Sequence, residues 1–439
     1  MALFPSGTEI ELENNKIAIV KGKIGGGGQG TVYLAEVDGK DYALKWYHRK
    51  INNGDKFYRN LANNVDTTSP SEMFVWPKYL SRVINGEYGY IMDLIPSNYK
   101  CFSDFLLTRE KFPSITCVVT AALNITNAFR ELHRKGFSYQ DLNDGNFFIN
   151  AQTGDVLICD TDNVAPYGES LGIAGKARYM APEVVRNIKA PDIMTDRFSL
   201  AVILFRLLFL DHPLEGKRTL CPCMTEEHEL KFYGKSPLFI YDTNDESNRP
   251  VRGVHCNVIR IWNLYPQFVR DMFIKAFSQE CMKGESARPT DNEWQIMFTK
   301  LRDCIIKCPC GGETFLNLDE PETACLNCGA MIPTPPVLVS KKYRVALFPG
   351  KKIYLCHTND DSDVYNVETG KIVRNQNHPN VWGLKNTSGE EWKVTVKDGS
   401  VLPLPDGKVV VVLRAKEINF GGCVGKIEYN EPKSKCKNG

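Results

Sequence analysis

The stretch "YQDLNDGNFF" carries Asp141 and, five residues later, Asn146. A carboxylate can accept or orient the proton of a hydroxyl, and an oxygen ligand nearby can hold a divalent cation such as Mg²⁺. A second carboxylate, Asp160, ends the apolar run in "GDVLICDTDN", with Asp162 two residues beyond it. Upstream, Lys45 sits among apolar neighbours in "YALKW", fifteen residues after the glycine run "GGGGQG". Gly25, Gly27 and Gly30 fit G-x-G-x-x-G, Gly28 belongs to the same run, and Val32 follows. Glycine suits a loop whose backbone N–H groups must approach phosphate oxygens without a Cβ in the way. Taken singly, the glycines also fit a flexible hairpin turn and the lysine a solvated strand edge. A fourth group is Cys308 and Cys310 (C-x-C) with Cys325 and Cys328 (C-x-x-C) about fifteen residues on. Each dithiol alone could be a redox pair, but two such knuckles can place four thiolates tetrahedrally around Zn²⁺. So short a segment has little core, and the metal would supply its folding energy.

These residues need elements to hold them. Alternating apolar residues on both sides of the glycines predict a β-hairpin, followed by a third strand with Ala43, Leu44 and Lys45. Strand, glycine loop, strand is not the order of a dinucleotide fold, where the glycines open a helix. "DKFYRNLANNVDTT" reads as a helix and "YGYIMDLIP" as a strand. "FSLAVILFRLLFL" is interrupted by Arg206 and too short to cross a bilayer, so it is expected as a buried helix. After the linker "MIPTPPVL", residues 341 to 433 show short alternating runs such as "WKVTV" and "GKIEY", the pattern of an all-β sandwich.

The 439 residues suffice for two or three domains, and 54 Lys and Arg against 52 Asp and Glu leave the net charge near zero. No overall basic field draws the chain to nucleic acid or to an anionic membrane, so neither is expected as a partner. The N-terminal "MALFPSGTEIELENN" shows no signal-peptide pattern, and fifteen Cys cannot all pair. A reducing cytoplasm is the expected location.

With these motifs in order, residues from about 15 to 303 resemble a eukaryotic-type Ser/Thr protein kinase. The resemblance implies a bilobal α+β domain over residues 1–303, with an N-lobe to about 95 and a C-lobe from 96. It implies Asp141 as the catalytic-loop aspartate and Lys45 as the lysine of the ATP phosphates. Asn146 and Asp160 become the Mg²⁺ ligands, Asp160 standing at the Asp of D-F-G. Thr161 and Asp162 replace the Phe and Gly, which makes Asp162 a rival ligand. The ATP site would comprise Gly25, Gly27, Gly28, Gly30, Val32, Ala43, Lys45, Phe148, the gatekeeper Met92, and Asp93, Leu94 and Ile95 after it. "ARYMAPEVV" resembles the end of an activation segment, Asp196 the residue that holds the catalytic-loop backbone, and Arg288 the ion-pair partner of Glu183.

Several letters depart from that family. Tyr139 and Gln140 stand for His and Arg, which removes the cation that docks an activation-loop phosphate. Asn143 replaces the Lys expected two residues after the catalytic Asp, removing a positive charge from the transition state. The predicted helix after Lys45 has no Glu: Asn60 falls nearest the expected place, with Asp66 and Glu72 further off. Lys45 would then be positioned by something else, such as the nucleotide. The leading expectation is an ATP-dependent kinase acting on Ser/Thr of a protein partner. A pseudokinase scaffold is the alternative, and a small-molecule phosphotransferase fits less well because such enzymes generally lack the A-P-E segment.

Downstream, a zinc ribbon is expected over 304–335 and a β-sandwich over 336–439 whose second half weakly resembles a forkhead-associated domain. The phosphothreonine-reading Arg of that family is not evident, so an interaction or docking module is expected. The order of domains resembles bacterial kinases of tellurite-resistance-type loci, which act beside a von Willebrand A-type protein and a metal-dependent protein phosphatase. The cofactors expected are ATP, Mg²⁺ and Zn²⁺.

Overall fold

A computed structural model describes residues 4–48, 50, 55–172 and 175–429. The last ten residues of the expected 336–439 domain therefore lie outside the described residues. The chain divides into two compact units, one of Met1–Pro113, Cys117–Asn263 and Arg270–Gln295, the other of Ser114–Thr116, Leu264–Val269 and Ile296–Gly439. The division falls within the helix Asp291–Asp303.

The first unit opens with a six-stranded antiparallel sheet: β1 (Glu9–Glu11), β2 (Ile17–Gly26), β3 (Gly30–Val37), β4 (Lys40–Tyr47), β5 (Pro77–Leu80) and β6 (Gly89–Met92), in the order β1-β2-β3-β4-β6-β5. The period-two alternation of β4 sends Leu44 and Trp46 into one core with Tyr33 and Ile91. Ala43 and Tyr47 go to the other face, with Tyr90 and Met92. Gly30 is fixed by this sheet, since a Cβ there would lie 2.5 Å from the Trp46 carbonyl oxygen. Gly27 and Gly28 meet no such constraint and face open space. The helix α1 (Lys56–Asp66) starts at Asp55, whose side chain accepts from the Tyr58 N–H at 3.1 Å, and buries Phe57, Asn60, Leu61 and Asn64.

The remainder of this unit is mainly helical. The "FSLAVILF" segment lies in the helix Ile193–Phe209, capped by Asp192 in a reciprocal box with Thr195 and buried along most of its length. Near its start Asp196 accepts from the Tyr139 N–H at 2.6 Å and so holds the backbone just before Gln140 and Asp141. His133, at the end of the helix Ile115–Arg134, bridges two carboxylates, with Nε2 3.2 Å from Asp196 and Nδ1 2.8 Å from Asp291. With both ring nitrogens facing carboxylates, the charged imidazolium fits best. Burial opposes that charge, but Asp291 and Asp196 outweigh it and raise the His133 pKa to about 9. Burial raises the Asp196 carboxyl to about 6. The structure also brings Arg288 to Glu183 in a two-pronged pair at 2.8 and 2.8 Å, and Arg288 donates to the Met194 carbonyl at 3.0 Å.

In the second unit two short hairpins come first, Ile305–Lys307 with Glu313–Phe315 and Glu322–Ala324 with Met331–Pro333. Each carries one Cys knuckle in its turn. An all-β region follows, with one six-stranded and one four-stranded antiparallel sheet over residues 337–428. Trp392, Val394 and Ile418 are buried there, as the alternating "WKVTV" pattern requires. Among the described residues no helix is long and apolar enough to cross a membrane.

The His133 bridge makes stability depend on pH. A pKa raised on folding adds stability that is full below the unfolded value of about 6.5 and is lost as pH rises through the folded value. Above about pH 7, a unit beyond its folded pKa, the Asp196 contribution has levelled off. The urea midpoint of the wild-type chain should therefore fall more between pH 7 and 9.5 than that of His133→Gln. Equal slopes in the two proteins would contradict the bridge.

Candidate active site

Lys45 projects from β4 to the face that carries Tyr47 and is nearly buried. Its Nζ lies 3.0 Å from Asp160 Oδ1 and 2.8 Å from Asp162 Oδ2, and Gln29 of the glycine loop accepts at 3.4 Å. Burial alone would lower the pKa of this ammonium. The charges of Asp162 and then Asp160 outweigh burial and hold it well above its usual value.

The two aspartates differ in what they leave free. Asp160 takes a left-handed backbone conformation, φ 51°, which costs a non-glycine residue roughly 1–2 kcal/mol. Its side chain remains 39% exposed, whereas that of Asp162 is 0% exposed. Asp162 is also fully engaged: Tyr47 donates to Oδ2 at 2.5 Å, beside Lys45, and Tyr90 to Oδ1 at 3.3 Å. Burial first, and then the Asp162 charge, push both phenols well above their usual pKa and keep them neutral donors. Asp162 is therefore the lysine's partner, and the rival metal-ligand reading loses its free oxygen. Asn60, which the sequence places nearest the missing Glu, turns elsewhere: its Nδ2 donates to the Val164 carbonyl at 2.7 Å, joined there by Asn64 at 3.0 Å. These amides fasten α1 to the backbone just after Asp162.

The catalytic-loop residues gather beside this pair. Asn146 donates from Nδ2 to the Asp141 carbonyl at 2.8 Å, and the Cys159 N–H donates to the Asn146 carbonyl at 2.8 Å. The second bond sets Asp160 next to Asn146. Asn146 spends its amide N–H on the loop, so its side-chain oxygen is left for a cation, together with the exposed oxygen of Asp160. Two hard oxygens suit Mg²⁺. Asp141 has its pKa raised by burial, against a hydrogen bond from Asn143. Asn143 donates to Asp141 Oδ1 at 3.3 Å and accepts at 2.9 Å from Lys176 Nζ.

Val32, Leu94, Ile95 and Phe148 are partly buried and pack against the apolar cluster that contains Ala43 and Met92. The register of β4 on β6 pairs Ala43 with Met92, and Asp93 beyond it forms an ion pair with Lys78 at 2.8 Å. Gln140 binds the activation segment by its backbone: Nε2 donates to the Glu169 carbonyl at 2.5 Å, and Oε1 accepts from the Leu171 N–H at 3.0 Å. Sequence reasoning missed this clamp, the two tyrosines and Lys176. The D-T-D spacing, with no acid in α1, was the one available signal for Asp162.

The four Cys of the second unit also come together, with all four Sγ atoms within 4.8 Å of one another. Cys308 and Cys328 are 3.8 Å apart, as are Cys310 and Cys325. A disulfide needs about 2.05 Å. The edge of a tetrahedron with metal–sulfur bonds of about 2.3 Å is roughly 3.8 Å, so the thiols fit Zn²⁺. Backbone N–H groups of Gly312 and Asn327 point at Cys310 and Cys325 at 3.4 Å each, as thiolate ligands require.

A family model described as a protein kinase domain matches residues 19–283. Among curated proteins, the chain is 31% identical over 101 residues to a probable serine/threonine-protein kinase PknB of Bifidobacterium longum, covering 21% of this chain and 14% of that one. It is 26% identical over 205 residues to the serine/threonine-protein kinase Sgk1-A of Xenopus laevis, covering 45% and 46%. It is 27% identical over 219 residues to beta-adrenergic receptor kinase 1 of Mesocricetus auratus, covering 47% and 30%. The matched regions span less than half the length of these relatives.

Asp162→Ala should strip Lys45, Tyr47 and Tyr90 of their shared acceptor. Breaking a buried pair from one side costs roughly 3 kcal/mol or more. Asn60→Ala removes one neutral bond and should cost only about 1–2 kcal/mol. Urea denaturation of the two variants checks the order, and a larger loss in Asn60→Ala would contradict it.

Proposed function

The chain belongs to the protein kinase family, and from that premise we propose that it transfers the γ-phosphoryl of ATP to Ser or Thr of a protein. The observation that carries this reading is the meeting of Lys45 with Asp160 at 3.0 Å, across 115 residues of sequence. That contact supports a phosphate-binding role for Lys45 beside a metal-binding one for Asp160.

In the proposed reaction the ring of ATP lies between the apolar residues around Ala43 and Met92. Gly27 and Gly28 leave room for phosphates under the glycine loop, and Lys45 orients them while Asp162 fixes Lys45. Asn146 and Asp160 would hold Mg²⁺, and the bound ion would neutralise charge on the phosphates. Asp141 accepts the proton of the substrate hydroxyl; the hydroxyl oxygen bonds to the γ-phosphorus as the bond to the bridging oxygen breaks, and ADP leaves. Burial makes Asp141 a better proton acceptor than a solvated carboxylate. Arg288, Glu183 and Asp196 hold the frame. Cys308, Cys310, Cys325 and Cys328 bind one structural Zn²⁺, and the β region docks partners. The domain order makes a von Willebrand A-type protein and a metal-dependent phosphatase the first partners to try.

A pseudokinase has no catalytic need for Lys45, Asp141, Asn146 and Asp160 together in one slot. Radiolabel from [γ-³²P]ATP should pass to the chain or to a generic protein substrate, and Asp141→Ala should reduce the rate by about 10²–10⁴-fold. Nucleotide binding without transfer would establish the pseudokinase instead, and transfer indifferent to Asp141→Ala would refute the mechanism. Metal analysis should give about one zinc per chain, and chelation should unfold the hairpins. A chain free of zinc would return the four thiols to redox chemistry.

A further inference from the structure

Phosphoryl transfer needs positive charge at the transferring group, because negative charge spreads over its equatorial oxygens. The segment Gln140–Asn150 contains neither Lys nor Arg, and Asn143 occupies the place where the resemblance calls for Lys. Lys45 is committed to Asp160 and Asp162. A further cation is nonetheless beside Asp141, and it comes from the activation segment.

Lys176 donates from Nζ to Asn143 Oδ1 at 2.9 Å and lies 3.9 Å from Asp144 Oδ1. Two hydrogen bonds in series, through the Asn143 side chain, connect it to Asp141 Oδ1. Its neighbour Gly175 passes so close to the catalytic carboxylate that a Cβ there would stand 3.3 Å from Asp141 Oδ1. The backbone behind it is anchored: the Tyr179 N–H donates to the Lys176 carbonyl at 2.9 Å, and the Tyr179 hydroxyl donates to Asp144 at 2.7 Å. The Asn143 side chain is itself fixed, since Oδ1 also accepts from the Gly145 N–H at 3.0 Å. The lysine side chain remains 59% exposed, so its ammonium can reach a bound phosphoryl group.

We propose that Lys176 is a catalytic residue that supplies the transition-state cation absent at Asn143. The electrostatics of transfer are then complete only when residues 175–181 lie against the catalytic loop, so seating of the segment becomes a condition for chemistry. This inference rests on the kinase reading above. A surface lysine that merely caps Asn143 would also give the observed bond, and the two roles separate in kinetics.

The test is steady-state transfer by the full chain, with wild type, Lys176→Met, Lys176→Arg, and Lys176→Met combined with Asn143→Lys. A wild-type chain that transfers nothing would defeat the kinase reading itself, before any variant is compared. Given wild-type transfer, Lys176→Met should lower kcat by about 10–100-fold, less than the loss of a buried oxyanion donor because the site is open, with KM for ATP nearly unchanged. Lys176→Arg should keep most of the rate. Returning a lysine at position 143 should recover about tenfold or more of kcat in the Lys176→Met background. Unchanged kcat in Lys176→Met, or a defect in KM alone, would overturn the proposal, as would failure of Asn143→Lys to recover any rate.

Discussion

The first unit is organised around a carboxylate with no exposed surface. Asp162 accepts from Lys45, Tyr47 and Tyr90 at once, and each of those donors comes from the sheet, on β4 or β6. A buried charge of this kind is tolerated only if every oxygen is satisfied. The need to satisfy it ties the sheet to the segment that follows Cys159. Asp160, two residues earlier, is thereby delivered to Lys45. Asn60 and Asn64 fasten α1 to the same segment through neutral amide bonds. In a kinase whose lysine is held from the helix, a shift of the helix can break the ion pair. Here the helix holds the segment, and the segment holds the lysine.

How much of this was legible depended on whether the signal was local. Asp141, Asn146, Asp160 and the two Cys knuckles are read from spacing within a few residues, and the structure brings each group together. Glu183 and Arg288 were readable only because their flanking motifs are distinctive; the residues themselves are 105 positions apart. The lack of an acid in α1 was visible, but what replaces it was not. A carboxylate at position 162 becomes a lysine partner only when the backbone at Asp160 turns left-handed and points the next side chains inward. Lys176 was hidden for a related reason, since a lysine in a loop carries no local mark of its target. The second unit shows the opposite balance. Its strands and thiols follow from alternation and spacing, whereas what its two sheets recognise is written in no motif.

The active-site departures share a direction. An ion pair from the helix, a cation in the catalytic loop and a phosphate-docking arginine are all replaced, and in each case the replacement is supplied by residues 160–181 or binds them. The structure therefore concentrates in one segment what the family resemblance would distribute over three elements. Such a segment has little freedom to vary.

Gln140 gives this arrangement a physical character of its own. Its carboxamide spans the backbone at Glu169 and Leu171 with one donor and one acceptor, so the clamp carries no net charge. Interactions between exposed charges weaken as ionic strength rises, because the screening length shrinks from about 10 Å at 0.1 M to about 3 Å at 1 M. Hydrogen bonds from an uncharged amide escape that screening. A segment tethered in this way keeps its hold in brine as in dilute buffer, and offers a phosphatase nothing to remove.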